Sequence, residues 1–315
     1  MKFEETLKSA SVILTEGAVI ERLNRDTNVE LDPYIAHAGL IYDETAKKAM
    51  EKIYRQYSDI GLRYQLPIIV SAPTWRASSE RISKSVSRNR NNIVRDCIAF
   101  ISDIRHDYSD YADNIYIAGL IACRGDAYSP REALSAEEAK TYHRLQAQQL
   151  AEAGADYILA ATLPAVSEAL GMAAAISPCG LPYSLSFVIR ENGTVLDGTP
   201  LWEAIETIDA VVDPQPLFYQ VNCVHPAVFG QAVKHSESIF DRLFGLQANT
   251  STKSPEELDG LDYLDTSEPE EFAESMVSLH RQYGLKIIGG CCGTDDRHIE
   301  EIAKLIRKTA NRRES

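Results

Sequence analysis

The sequence has no run of about 18 consecutive apolar residues, which excludes a membrane-spanning helix. It is short of positive charge, with 32 Lys and Arg against 46 Asp and Glu and a net charge of −14. A chain so acidic is a poor general binder of nucleic acid or of anionic membrane surfaces. Its six cysteines are too sparse for a disulfide scaffold and fit a reducing, cytoplasmic compartment. The start, Met-Lys-Phe-Glu-Glu-Thr-Leu-Lys, lacks the apolar core of a signal peptide. No break in composition marks a second domain, so residues 1–315 read as one unit. What is present is enough to build a large core. The 44% hydrophobic content of 315 residues is long for an ordinary domain and normal for a single α/β barrel.

Eight short strand-like runs can be read, at 12–15, 67–72, 115–122, 156–161, 183–189, 218–223, 243–248 and 286–289. Most are followed by a helical pattern, as at 136–153 and 269–283. Strands alternating with helices imply right-handed βαβ units and a parallel sheet. Eight repeats suggest that the sheet closes into a (β/α)8 TIM barrel.

The last of these strands runs into Gly289-Gly290-Cys291-Cys292-Gly293-Thr294, with Asp295 and Asp296 then opening an amphipathic helix. The two glycines before the cysteines are expected to let the backbone turn tightly. Strand-to-helix turns form the edge of an α/β protein where sites are built. Neighbouring cysteines bridge each other only with strain, so the pair is better suited to holding a metal with a third ligand. Cys223 ends the strand-like run Phe218-Tyr219-Gln220-Val221-Asn222-Cys223, and Pro226 is placed to start the next helix. Cys223, Cys291 and Cys292 would hold one zinc ion by three thiolates and leave a fourth position open, the mark of a catalytic zinc. The plain alternative is a barrel with three buried thiols and no metal. His225 and Cys123 are weaker ligand candidates, the first read as a helix-start residue and the second as a free buried thiol. Cys97 and Cys179 read as packing residues, and His298 as an exposed helix residue.

Gly-Gly-Cys-Cys-Gly-Thr, with Val-Asn-Cys about seventy residues earlier, resembles the homocysteine S-methyltransferase family. The resemblance implies a zinc-dependent (β/α)8 barrel that passes a methyl group from a small donor to the thiol of homocysteine, giving methionine. It further implies that Glu16 and Gly17, at the end of the first strand, contact the amino acid substrate. Thr74, Trp75 and Ala77 are compatible with a family segment after the second strand, where Trp75 can wall a methyl-onium donor. Tyr128 falls in a loop where the family often places a tyrosine. Thr162 and Pro164 keep the frame of a family motif after the fourth strand, and Asn222 precedes the metal ligand Cys223. Asn249 is a weak candidate to line the site.

Two positions depart from the family pattern. Arg76 replaces the usual Gln, and Ala161 replaces the Glu expected to hold the amino group of homocysteine. Losing such a charge-assisted bond costs about 1.5–3 kcal/mol. Either Glu16 takes over the task, or the acceptor is a different thiol or selenol. The segment 76–95 gathers Arg76, Arg81, Lys84, Arg88, Arg90 and Arg95, and is read as a solvated helix face rather than a cradle for an anionic folate tail. The donors used by relatives include S-methylmethionine, betaine, and folate or corrinoid carriers. A chain of this length has no room for separate folate or cobalamin modules, which favours S-methylmethionine or another small onium compound. A reading from another class is a zinc-dependent thiol-binding protein without turnover. The partners expected are therefore a small thiol acceptor and a methyl donor, with neither nucleic acid nor membrane; self-association into a homo-oligomer is left open.

Overall fold

The computed structural model describes residues 2–234, 237–253 and 266–311. Its centre is a closed barrel of eight parallel strands in sequence order. They are β1 (Ile13–Thr15), β2 (Ile68–Ser71), β3 (Ile115–Ala122), β4 (Tyr157–Leu163), β5 (Tyr183–Phe187), β6 (Phe218–Asn222), β7 (Leu243–Ala248) and β8 (Ile287–Gly290). The barrel closes where Ile13 and Leu14 pair with Ile287 and Ile288. Each of the eight runs read from the sequence becomes one of these strands, with ends displaced by a residue or two. The strands are apolar on both faces because one face fills the barrel and the other meets the helices.

The helices are α1 (Phe3–Ser9), α2 (Ile20–Asn24), α3 (Glu44–Tyr64), α4 (Ser79–Lys84), α5 (Ile93–His106), α6 (Ala136–Ala153), α7 (Val166–Ile176), α8 (Leu201–Val211), α9 (Pro226–Val233), α10 (Pro269–Tyr283) and α11 (Asp296–Asn311). Their ends follow from local chemistry. The Asp43 carboxylate accepts from the backbone N–H groups of Thr45 and Ala46 and starts α3. Ser135 and Glu138 form a reciprocal capping box at α6, which stops at Gly154 with φ 90°. Pro226 and Pro269 occupy the first turns of α9 and α10, where no backbone donor is needed.

The end of the barrel at which the strands begin is plugged. Helix α1 lies across it, and Phe3 stacks on Tyr157 with ring centroids 4.4 Å apart. Tyr116 and Phe218 close around the same ring at 5.4 and 6.3 Å. Thr6 bonds the Tyr116 hydroxyl, and Lys286 donates to the carbonyl of Leu7 at 2.8 Å. The opposite end, where the strands finish, is open.

Candidate active site

At the open end, a cavity of about 430 Å³ is walled by residues from the ends of the strands and the loops that follow them. The three cysteines named above lie on this wall together, with their sulfur atoms all within 4.8 Å of one another. Among the described residues they form the only cluster of this kind able to hold a metal.

Cys223 follows directly after β6 and has φ 56°, a left-handed conformation that a non-glycine residue keeps only when its surroundings enforce it. Its N–H bonds the carbonyl of Gln247 at 3.0 Å. Thr162, at the end of β4, shares the unusual conformation with φ 62°. Asn222 braces both. Its Oδ1 accepts from the Thr162 N–H at 3.0 Å and from the Ser186 hydroxyl at 2.6 Å, and its Nδ2 donates to Thr162 Oγ1 at 2.9 Å. The amide is buried, and it ties β4, β5 and β6 together directly beneath Cys223.

Cys291 and Cys292 are fixed from two sides. The Cys291 N–H bonds the carbonyl of Ala248 at 2.7 Å, and the Cys292 carbonyl accepts from Thr250 at 3.2 Å. Thr294 Oγ1 donates to the Cys291 carbonyl at 2.6 Å and accepts from the Ala18 N–H at 3.1 Å. Glu21 accepts from the Gly293 N–H at 2.6 Å. The glycines before the cysteines do not make the turn, contrary to the expectation from sequence. Gly289 and Gly290 belong to β8, and the residue with positive φ is Gly293, at 81°. Gly289 and Gly290 are required for close approach instead. A Cβ on Gly289 would lie 2.0 Å from Thr15 Oγ1, and one on Gly290 2.2 Å from Thr294 Oγ1.

The three thiols share their protons unequally. The Cys291 and Cys292 thiols hydrogen-bond to Cys223 and hold it well below the ordinary thiol range, while Cys291 and Cys292 are both raised. The Tyr128 hydroxyl donates to Cys223 Sγ at 3.3 Å, and the neighbouring sulfur charge pushes that phenol far above its usual range. An all-sulfur set at this spacing fits a tetrahedral zinc ion, whose ligand sulfurs lie about 3.8 Å apart for bonds of about 2.3 Å.

All five residues expected at the substrate, Glu16, Gly17, Trp75, Thr162 and Asn222, line the same cavity, as does Ala161. Glu16 is buried, and its Oε2 accepts from the Ser71 N–H at 2.7 Å. Burial pushes its carboxyl up to about 8, against the smaller lowering effect of Ser71. Trp75 carries the Arg76 guanidinium 4.4 Å from its ring centroid, so the chain itself occupies one face of the ring.

Three expectations are corrected. Arg76 does not belong to a solvated face: it is partly buried and donates to the carbonyls of Cys123 and Gly125, pinning the loop after β3. His298 is buried rather than exposed. Its Nδ1 accepts from the Asp295 N–H at 3.1 Å, and its Nε2 reaches the Ser267 carbonyl at 3.2 Å. Asn249 is buried but is not part of the cavity wall, where Gln247 stands instead. In line with the sequence reading, His225 caps α9 by accepting from the Ala227 N–H at 3.1 Å, and Cys123 is a free buried thiol outside the thiol cluster, raised to about 12 by burial.

Sequence reasoning missed two features. Glu168 is buried in α7, where its carboxylate accepts from the Arg124 N–H at 2.6 Å and the Leu134 N–H at 3.2 Å, and faces His143 Nε2 at 3.1 Å. It thereby holds both ends of the loop that presents Tyr128. A single acidic residue on the otherwise apolar stretch Val166–Ile176 was the available signal. His37, between α2 and α3, lines the cavity and belongs to no motif.

A family model for homocysteine S-methyltransferase matches residues 13–306. Homocysteine S-methyltransferase YbgG of Bacillus subtilis is 27% identical over 60% of this chain and 59% of its own length. Homocysteine S-methyltransferase 4 of Zea mays is 24% identical over 84% of this chain and 81% of its own. In three dimensions, the metallated form of the homocysteine methyltransferase MmuM from Escherichia coli superposes with a TM-score of 0.76 at 19% identity, covering 96% of this chain and 98% of that one. With the family match running from the first barrel strand into the last helix, around a three-thiol cluster at the mouth, this chain belongs to the homocysteine S-methyltransferase family.

Proposed function

We propose that this protein is a zinc-dependent methyltransferase that passes a methyl group from a small onium donor, such as S-methylmethionine, to the thiol of homocysteine, giving methionine. The observation that carries the reading is the convergence of Cys223, Cys291 and Cys292, from two strand ends, on the wall of one cavity. Bound zinc would supply a Lewis acid that lowers the pKa of the acceptor thiol, so that the nucleophilic thiolate exists at neutral pH. The three cysteines would hold the metal, and the open side of the cluster faces the substrate space. Asn222 and the Thr294 bonds keep the ligands in position before the metal arrives, and Tyr128 holds Cys223 from the cavity side. The transfer forms a carbon–sulfur bond on the acceptor while the donor's bond to the same carbon breaks, the electron pair leaving with the donor. The protein's part in that step is alignment.

Glu16 is suited to the substrate ammonium, because Ala161 puts no carboxylate opposite it. A carboxyl held at about 8 is mostly protonated at neutral pH, so an arriving ammonium would displace its proton. Among the described residues no Lys or Arg lines the cavity, which leaves a polyanionic donor without a counter-charge and favours a cationic one. Trp75 offers the ring face that Arg76 leaves free. Six free cysteines fit a reducing cytoplasm.

Calorimetric titration of L-homocysteine into zinc-loaded protein tests the reading, with the Cys292→Ser variant as control. Saturable binding lost in the variant is the expected result, with about two protons released per ligand in buffers of different ionisation heat, one from the thiol and one from Glu16. A second reading rests on Ala161: the acceptor is another thiol or a selenol. Stoichiometric zinc without any heat from homocysteine would favour it and sink the first.

A further inference from the structure

His37 is 3% exposed, yet it belongs to the cavity wall. Its Nδ1 is sealed from solvent without a hydrogen-bond partner. With Nδ1 sealed, Nε2 is the ring nitrogen left to serve the cavity that His37 lines. A buried polar ring with nothing to bond is unfavourable unless a ligand uses it. The position is built rather than accidental. Asp32 Oδ1 accepts from the N–H groups of Tyr34 and Ile35, and its Oδ2 accepts from Val86 at 3.1 Å. Asp32 and Ala36 exchange backbone bonds, and Ala36 has φ 50°, so the loop enters residue 37 on a fixed course.

Burial also decides the charge and tautomer of the ring. It lowers the His37 pKa to about 3, so the imidazole is neutral at physiological pH and carries one N–H. Unpaired buried N–H groups are rarer than unpaired acceptors, which puts the proton on Nε2, facing the cavity. Among the described residues the cavity wall contains no Lys or Arg, so an anionic group on a substrate is met there by neutral donors. We infer that His37 is a substrate-binding residue whose Nε2–H donates to the carboxylate of an amino acid substrate. The inference rests on the methyltransferase reading above and adds to it a residue that selects substrates for their carboxylate. In barrel order β2 stands across from β6, so the loop after β2 that carries Trp75 opens on the side opposite Cys223. The carboxylate of either the acceptor or the donor could be the one held.

Four probes separate these sources. L-homocysteine and S-methyl-L-methionine are titrated into zinc-loaded protein alongside their decarboxylated counterparts, 3-aminopropane-1-thiol and (3-aminopropyl)dimethylsulfonium. The expected result is that His37→Ala weakens one of the two carboxylate-bearing probes by about tenfold or more and leaves its decarboxylated partner unchanged. The probe affected identifies the source, and His37→Gln, which keeps an N–H donor, restores part of the loss. In wild-type protein labelled with ¹⁵N-histidine, the same probe shifts the His37 Nε2–H resonance and its decarboxylated form does not. Equal discrimination by wild type and His37→Ala, with no shift of the resonance, overturns the inference while leaving the methyltransferase reading intact. Wild-type protein that binds neither carboxylate probe removes both.

Discussion

The two ends of the barrel are built from the same eight strands and have opposite characters. At the end where strands begin, Phe3 of α1 packs into Tyr116, Tyr157 and Phe218. At the other end, the same β4 and β6 finish in Thr162 and Cys223, both in strained backbone, around a cavity of about 430 Å³. One end contributes apolar burial, the other keeps open space and polar groups that burial alone would not justify. In this fold, stability and chemistry occupy opposite ends of each strand.

The sharpest way to break that contrast is at the thiols. Cys292→Ser should abolish stoichiometric zinc binding and lower methyl transfer by roughly a thousandfold or more, since it removes several kcal/mol of Lewis-acid assistance. The stability of the metal-free protein should move by less than about 1 kcal/mol, because this cysteine is only partly buried. Metal analysis, initial rates and urea unfolding read the three quantities. Phe3→Ala is the mirror image. Loss of the buried ring should cost about 3–5 kcal/mol in urea unfolding, with zinc content and turnover at moderate temperature unchanged. Activity that falls in step with stability would show that the two ends are not separable.

Asn222→Ala probes the brace between the ends. It leaves the buried Thr162 N–H without its acceptor, at a cost of about 1–3 kcal/mol, and should weaken metal affinity by roughly 10–100-fold in competition with a chelator. Glu16 gives the smallest effect and the most diagnostic pH dependence. The folded protein holds its proton up to about 8, whereas a carboxyl at its ordinary value loses it near 4.5. The contribution of Glu16 to stability is therefore complete below 4.5 and declines as pH rises towards 8, since the unfolded chain binds fewer protons in that window. Glu16→Gln should flatten that part of the stability profile, measured by urea unfolding between pH 5 and 8 (a range of about three units around neutrality). An unchanged slope would mean that Glu16 is ionised in the folded protein.

Much of this was legible in the sequence because the repeating alternation of strand and helix is a local signal. The Cys223 and Cys291-Cys292 pair could also be read, since a strand-end cysteine is a local feature and a parallel barrel brings strand ends together. The parts that were not legible depend on contacts between distant segments. Gly289 and Gly290 look like turn residues until Thr15 and Thr294 are seen pressing on them. His298 falls where an exposed helix face is expected, and its burial comes from Ser267 on Nε2 and the Phe272 ring packed against it, both from a distant segment. Arg76 looks like one of several solvated cations, but its guanidinium is bound to carbonyls of the loop after β3. Glu168 and His37 carry no motif, and their surroundings alone give them meaning.

The Asn222 brace has a consequence for the cavity wall beside it. The strained backbone at Thr162 is held from across the sheet by an amide on β6, not by the side chain at position 161. Ala161 faces the cavity next to that brace and is not part of it. The residue there can be exchanged without breaking any bond of the brace beneath the thiol cluster, so the cavity wall and the support of the thiols are structurally separable.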